Sequence, residues 1–379
     1  MNNDDYYRRM QKALTNFVNR KSEAPAWEGR KIVIYGAGGF GQDLAKALLR
    51  QGASALGFLD QKGAGQEAAP GLRVFRPDSS EAQSWLAEKP VVVIGVYNSS
   101  VCLREIKTLL AQFGFPAVVT PMEAYLHLSK DLGWRFWMGT PQDYFAAAGP
   151  IEQTRALWAD QASEQLFLET LLFRLGCDLE KTASPTSASF QYADPTLPRW
   201  QEPIRLVDGG AYSGDTLQRL LEHGYHFATI HAFEPDAENF KRLRITASAF
   251  GPETQISLWP CGVWSSMCRM SFSEGGNTSS KLSASGPSVV PVVALDDVLH
   301  GQPINLIKLD IEGAEPDALR GAQRLIEKYR PGLAVCLYHY PDHLWSIPLW
   351  VQELNLDYRL YYRAYAHNTF ETVLYAIPK

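Results

Sequence analysis

What this chain is short of narrows its chemistry before any motif is found. Its five cysteines (Cys102, Cys177, Cys261, Cys268 and Cys336) lie scattered, with no C-x-x-C and no even framework. That spacing excludes a zinc finger and a disulfide-stapled scaffold and fits reduced thiols of the cytoplasmic kind. No block of one charge sign is present: 36 Lys and Arg face 41 Asp and Glu, a formal net charge of −5. A nucleic-acid backbone finds no basic track on such a chain. Long apolar runs are missing too, and none approaches the roughly 20 residues that cross a bilayer. The opening MNNDDYYRRMQKALTNF lacks a signal-peptide apolar core, so a cytoplasmic protein with no membrane span is expected. What is there is 46% hydrophobic and 12% aromatic residues over 379 positions, enough for two packed domains.

The most informative stretch runs from Ile204 to Phe240. Ile204, Leu206 and Val207 predict a strand buried on both faces. Asp208-Gly209-Gly210-Ala211-Tyr212-Ser213-Gly214 follows, with glycines where the backbone must turn and let a ligand come close. Leu217, Leu220 and Leu221 predict a helix from Asp215 through Thr216 onward, capped by Ser213 or Asp215. A second strand, Thr229 to Phe233, ends on Glu234-Pro235. In a doubly wound sheet the first turn and the end of the second strand are neighbours. An acid there accepts two hydrogen bonds from a ribose diol. The turn is not G-x-G-x-x-G, and Asp208 would repel a pyrophosphate, which favours a cofactor with a cationic, amino-acid end. S-adenosylmethionine fits, with adenosine near Glu234 and the methionine portion over Gly209 to Gly214. The competing reading is a plain βαβ unit with structural glycines.

A second pattern of this kind stands earlier in the chain. Strand Ile32–Tyr35 enters Gly36-Ala37-Gly38-Gly39-Phe40-Gly41, a true G-x-G-x-x-G, and a helix through Leu44, Leu48 and Leu49 follows. Asp60 comes 19 residues after Gly41, near the roughly 20 expected for an acid on a ribose hydroxyl. With a strand at Val91–Gly95 and a helix at Val101–Phe113, residues 29–130 form a smaller Rossmann-like α/β domain. The turn alone leaves NAD(P), a nucleotide or nucleotide sugar, and no ligand all open, with packing the more frequent role. Residues 1–28 predict a polar helix and linker, and 131–200 a helical connector that includes Glu164 to Leu175 and a loop at Thr182–Ser189. The main domain is placed at 201–379, with a mobile polar loop from Ser273 to Ser288 that contains Asn277 to Ser280.

Catalytic candidates gather near its end. Strand Leu306–Leu309 runs into Asp310, Glu312 and Glu315, with Gly313 between them, and a helix is predicted over Pro316–Tyr329. Carboxylates at the carboxyl end of a buried strand are costly unless solvated, paired or in use. That end of an open α/β sheet faces the ligand crevice. Asp310 can therefore take a proton from a hydroxyl nucleophile or hold a divalent ion, while Glu312 and Glu315 can also serve only as acids at a helix start. His339 ends the apolar run Leu333–His339, where an imidazole can act as base or ligand, and His343 reads as a helix-start or surface residue. A terminal antiparallel hairpin, Tyr358–Tyr365 with Thr372–Ile377, is unlike a dehydrogenase sheet.

Four motifs resemble the FkbM family of S-adenosylmethionine-dependent methyltransferases: Val207-Asp208-Gly209-Gly210-Ala211, His231-Ala232-Phe233-Glu234-Pro235, Ala294-Leu295-Asp296-Asp297 and Ile307-Lys308-Leu309-Asp310-Ile311-Glu312-Gly313-Ala314-Glu315. The resemblance covers Pro203 to Lys379. It implies the class I methyltransferase fold, a doubly wound seven-stranded sheet with an antiparallel last strand. It also implies O-methylation of a hydroxyl on a sugar, glycan or polyketide-type metabolite, so the partner is a small-molecule or glycan acceptor. Asp208, Gly209, Gly210, Tyr212, Gly214, Asp215, Thr216, Glu234 and Pro235 then fall at the cofactor, and Asp310, Glu312 and His339 at the chemistry, Asp310 nearest the transferred methyl. Leu337 stands where many members carry an acid two residues before the histidine, so no metal is assigned. A nucleotide-sugar or NAD enzyme run by the N-terminal domain, and a non-catalytic binding module, are the alternatives.

Overall fold

The structure is a computed structural model that describes residues 8, 11–16, 19, 23–176, 185–273, 281–283 and 288–379. It divides into two units. The first comprises Met1–Ala148, Gln165–Ser184 and Ala366–Phe370, the second Gly149–Glu164, Pro185–Tyr365 and Glu371–Lys379.

The first unit is built on six strands: β1 (Lys31–Tyr35), β2 (Ser54–Leu59), β3 (Glu67–Ala69), β4 (Leu72–Phe75), β5 (Val91–Ile94) and β6 (Val118–Val119), in the order β3-β4-β2-β1-β5-β6. All pairs are parallel except β3 with β4. Val91 to Ile94 are wholly apolar and buried, as a central parallel strand requires. The turn after β1 needs its glycines for contact. A Cβ on Gly41 would collide with the Gly36 carbonyl, and one on Gly95 would sit 2.7 Å from the Gly41 Cα. In the helix Gly39–Arg50 the buried face is Leu44, Ala45, Ala47 and Leu48. Leu49, expected on that face, is exposed, because the stripe follows the i, i+3, i+4 spacing of Leu44, Ala47 and Leu48.

The second unit holds a seven-stranded sheet. Its members are β7 (Ile204–Gly209), β8 (Phe227–Phe233), β9 (Gln255–Trp259), β14 (Leu306–Leu309), β15 (Gly332–Cys336), β16 (Tyr358–Ala364) and β17 (Thr372–Pro378), ordered β16-β17-β15-β14-β7-β8-β9. The last strand, β17, runs antiparallel to both neighbours, while β7, β8, β9, β14 and β15 pair in parallel. The sequential order reverses beside β7, so the crevice outside the carboxyl ends of β7 and β14 is the switch point where such sheets bind ligands. The other four strands, β10 (Gly262–Val263), β11 (Cys268–Ser273), β12 (Lys281–Ser283) and β13 (Ser288–Val293), form a small separate sheet. Part of the stretch expected to be a mobile loop is therefore strand, since Ser273 ends β11 and Ser288 opens β13. Asn277 to Ser280 lie outside the described residues, as do Cys177 and residues 182–184 of the expected Thr182–Ser189 loop.

Two helices replace the single one expected over Pro316–Tyr329: Glu315–Arg320 and Gln323–Tyr329. The break falls at Gly321, where a Cβ would collide with the Trp264 carbonyl. Asp296 explains the restart, since its carboxylate accepts the backbone N–H of Arg324 at 3.0 Å and of Leu325 at 2.8 Å. It thereby satisfies amides that a helix start leaves open. Among the described residues no helix is long and apolar enough to cross a membrane.

Candidate functional site

The turn after β7 is held by contacts that only glycine permits. Gly210 has φ +71° and Gly214 φ +87°. A Cβ on Gly210 would strike the Asp310 carbonyl oxygen, and one on Gly214 would lie 2.7 Å from Thr246 Cγ2. The turn therefore presses directly on the end of β14. Gly214, not Ser213 or Asp215, occupies the cap of the helix Asp215–Glu222, with no side-chain cap bond. Left-handed backbone at that position closes the turn, and no cap side chain lies over the helix N-terminus. Thr216, Leu217 and Leu220 are buried beneath it, whereas Leu221 is 44% exposed and stands off the core face. Asp215 remains at the surface, with Arg219 3.5 Å away.

Glu234 sits where the sequence put it, at the end of β8, and is itself buried. Its two carboxylate oxygens accept the N–H of Tyr212 at 2.8 Å and of Asp236 at 2.9 Å. Each oxygen has a second acceptor site, so a diol can still be received while the backbone bonds fix the carboxylate's direction. Burial raises the Glu234 carboxyl above its usual range, against the pull of those N–H groups. Pro235 leads into Asp236, which caps the helix Ala237–Ala247 through the N–H groups of Glu238 and Asn239. Tyr212 has φ +49°, a conformation ordinary side chains avoid.

Asp208, which the sequence placed at the turn, does not face open solvent. It is fully buried, and its Oδ1 lies 3.0 Å from Lys308 Nζ on β14, the partner set by the Asp208–Lys308 register. The ammonium also donates to the Gly210 carbonyl at 2.7 Å and the Gly209 carbonyl at 3.3 Å. Burial lifts the Asp208 carboxyl to about 6 despite Lys308. Burial also works against the lysine's charge, but the Asp208 carboxylate outweighs it and raises the ammonium further. At neutral pH the two are an ion pair.

Asp310, Glu312, Glu315 and His339 come together at the adjoining strand ends. His339 Nδ1 lies 2.9 Å from Glu315 Oε1, and its Nε2 faces Asp310 Oδ1 at 3.5 Å and Glu312 Oε2 at 3.6 Å. Glu312, at φ +56°, thus points at the histidine and not into the following helix. His343 starts the helix His343–Glu353 as expected, yet it is buried with its Nδ1 3.4 Å from Glu315 Oε2. Burial disfavours charge on both His339 and Glu315, but each other's field wins, taking the imidazole up to about 10 and the Glu315 carboxyl down to about 2. Burial lifts Glu312 to about 8, with His339 opposing. One ligand atom each from Asp310, Glu315 and His339 lies within 4.8 Å of the others, a spacing compatible with a metal ion. His339 and Glu315 are already paired through Nδ1 and Oε1 at 2.9 Å, so the same residues also stand as an ion-paired cluster.

Other residues here were not singled out in the sequence. Tyr338 Oη donates to Asp310 Oδ1 at 3.1 Å, and Tyr192 Oη donates to Asp310 Oδ2 at 3.3 Å. Gln191 Nε2 donates to Glu371 Oε2 at 2.8 Å. Lys308 had a legible signal, since a lysine in the buried strand Leu306–Leu309 needs an opposite charge. Gln191 and Tyr192, and Glu371 some 180 residues later, lie far in sequence from Asp310 and carry no local pattern.

A sulfonium cofactor suits this lining. Glu234 keeps acceptor sites for a diol, and Asp310 stands at the strand end on which the glycine turn packs. A parallel sheet reversed only at its last strand, a glycine turn after its first strand and an acid after its second define a class I methyltransferase. Residues 208–364 match the methyltransferase FkbM domain, and the chain is a methyltransferase that carries this domain, a family that implies S-adenosylmethionine as methyl donor. Residues 31–105 match the PglD N-terminal domain. The chain is similar in structure to the methyltransferase FkbM from Methylobacillus flagellatus KT, with 21% identity, a TM-score of 0.74 and coverage of 97% of this chain and 100% of that one. At that identity the likeness speaks for the fold. A tRNA (uracil-54, C5)-methyltransferase from Pyrococcus abyssi in complex with S-adenosyl-L-homocysteine matches at 12% identity over 46% of this chain and 34% of that one, with a TM-score of 0.26, too low to carry weight. No curated protein matches the sequence significantly.

Proposed function

We propose that this methyltransferase acts on oxygen, transferring methyl to a hydroxyl of a sugar, glycan or polyketide-type metabolite, with Asp310 as general base. The observation that carries this reading is the packing of Gly210 against the Asp310 carbonyl, which sets a carboxylate beside the cofactor turn. Asp208, Gly209, Gly210, Tyr212, Gly214, Asp215 and Thr216 would line the methionine portion, with Glu234 and Pro235 at the ribose. Bound there, S-adenosylmethionine would supply an activated methyl group, leaving the protein to align the acceptor oxygen and remove its proton. Lys308 fixes the turn from beneath through the Gly209 and Gly210 carbonyls. Tyr192 and Tyr338 orient the Asp310 carboxylate by one hydrogen bond to each oxygen, and His339, held by Glu315, offsets the charge of Asp310. Alignment and one proton transfer are the two tasks left to the protein. The test is a panel of hydroxylated sugars, glycosylated lipids and polyketide-type alcohols assayed with S-adenosylmethionine labelled at the methyl. Transfer to oxygen supports the reading, and transfer only to nitrogen or carbon acceptors contradicts it.

A further inference from the structure

We propose that Tyr375 and Trp200 are positioning residues for the transfer: they clamp the backbone of Tyr192 at its N–H and its carbonyl, and so hold the Tyr192 phenol on Asp310. The proposal rests on the reading of Asp310 as base.

Tyr192 is buried and lies between the one-turn helix Ala188–Phe190 and β7. Its backbone has φ +69°, a conformation that a bulky residue holds only where its surroundings over-determine it. Two buried bonds do so. The Tyr192 N–H donates to Tyr375 Oη at 2.9 Å, and its carbonyl accepts from Trp200 Nε1 at 2.6 Å. Both clamps are anchored on the sheet. Tyr375 is fully buried within β17, and Trp200 packs on Gly332 at the start of β15, where a Cβ would lie 2.6 Å from the indole. The Trp200 and Tyr375 rings are 5.9 Å apart.

The Tyr375 hydroxyl is itself held. Having accepted from Tyr192, it donates to Tyr365 Oη at 2.8 Å, and Tyr365 donates to Asp194 Oδ2 at 2.9 Å. Each phenol has one proton and so makes one donation, and burial keeps both protonated by raising them far above the usual tyrosine range. The chain therefore has a single direction, from the Tyr192 amide to the Asp194 carboxylate. The other Asp194 oxygen accepts the N–H of Thr196 at 2.8 Å and its hydroxyl at 2.6 Å.

At its other end Tyr192 meets the chemistry. Its Oη donates to Asp310 Oδ2 at 3.3 Å, accepts from Gln191 Nε2 at 3.3 Å and lies 3.5 Å from the Cys336 thiol. Gln191 is fixed in turn, since its Nε2 also donates to Glu371 Oε2 at 2.8 Å and its Oε1 accepts from Arg219 Nη1 at 3.3 Å. With the amide and the thiol on its lone pairs, the one phenol proton of Tyr192 is left for Asp310. That bond is already long for an O–H···O contact, so a small shift of the Tyr192 backbone ends it. Without Tyr375 Oη the Tyr192 N–H becomes a buried donor with no acceptor. The backbone then leaves the left-handed region, and the phenol leaves Asp310.

Two readouts test the proposal, and the first needs no acceptor. In a crystal structure of Tyr375→Phe, Tyr192 should have left the left-handed region, with its Oη beyond hydrogen-bond distance of Asp310 Oδ2. Tyr192 in its parent conformation there overturns the proposal. In turnover, Tyr375→Phe should lower kcat by roughly 10-fold, less than the roughly 10²-fold that a 1 Å misplacement can cost, and leave KM unchanged. The acidic limb of the pH–rate profile should move up, because an ionised carboxylate has lost a donor. Tyr192→Phe should do the same, and adding Tyr375→Phe to it should change neither kcat nor the limb further. Additive losses overturn the proposal, since a merely structural tyrosine would act with or without the phenol, and so does an unmoved kcat and limb in Tyr375→Phe. Full turnover by Asp310→Asn removes the base reading itself and leaves the crystal structure to judge the clamp. Should Tyr375→Phe fail to fold by circular dichroism, Trp200→Phe, which removes the donor to the Tyr192 carbonyl, decides by the same measurements.

Discussion

Lys308 and Asp208 meet 3.0 Å apart with side chains 4% and 0% exposed, an ion pair sealed beneath the glycine turn after β7. Removing one partner of such a pair strands the other charge, at about 3–5 kcal/mol. Lys308→Met should therefore lose about that much stability in urea denaturation, and Lys308→Met with Asp208→Leu should recover most of it. A single variant as stable as the parent would mean that the lysine is not compensating Asp208.

The His339–Glu315 pair predicts a stability profile that falls on both sides of neutrality. A carboxyl lowered to about 2 contributes stability that is present above its unfolded value of roughly 4.3. That contribution is lost as pH falls from there toward about 2. An imidazole raised to about 10 contributes stability that is complete below its unfolded value of roughly 6.5, lost as pH rises through that value toward about 10. Thermal melts of His339→Gln should lack the alkaline decline of the parent between those limits. If parent and variant decline alike above neutrality, the pair is not what links stability to pH.

Glu234 is fixed by two backbone N–H groups, so its remaining acceptor sites point in a set direction. Glu234→Ala should weaken S-adenosylhomocysteine by about 1–3 kcal/mol, the scale of hydrogen bonds to a charged group, measured by titration calorimetry. Unchanged affinity would place the ribose elsewhere.

Much of this site was legible because its residues fall at strand ends. Two apolar runs that each end in an acid made β7 and β14 readable as strands, and their register sets Lys308 opposite Asp208, with Asp310 two residues further on. The swap of Gly214 for Ser213 or Asp215 as helix cap was not legible, because only the packing of Thr246 shows why glycine is required there. The break at Gly321 was hidden likewise, since its cause, Trp264, is far away in sequence. Glu371 escaped notice because nothing in the connection between the two hairpin strands says that its last residue meets Gln191. Lys308 could have been read, since an apolar strand with one lysine, beside another with one aspartate, implies the pair.

The most direct measurement is methyl transfer by Asp310→Asn to a hydroxyl acceptor that the parent enzyme uses. Asparagine keeps the shape and its one oxygen can still accept from either Tyr338 or Tyr192, but its amide nitrogen only donates and the side chain cannot take a proton. Turnover should fall by roughly 10²–10⁴-fold with S-adenosylhomocysteine affinity intact, and a chelator should leave the parent rate unchanged. Transfer at the parent rate by Asp310→Asn would contradict the base assignment. Loss of parent activity with chelator, restored by Mg²⁺ or Mn²⁺, would instead make Asp310 a metal ligand.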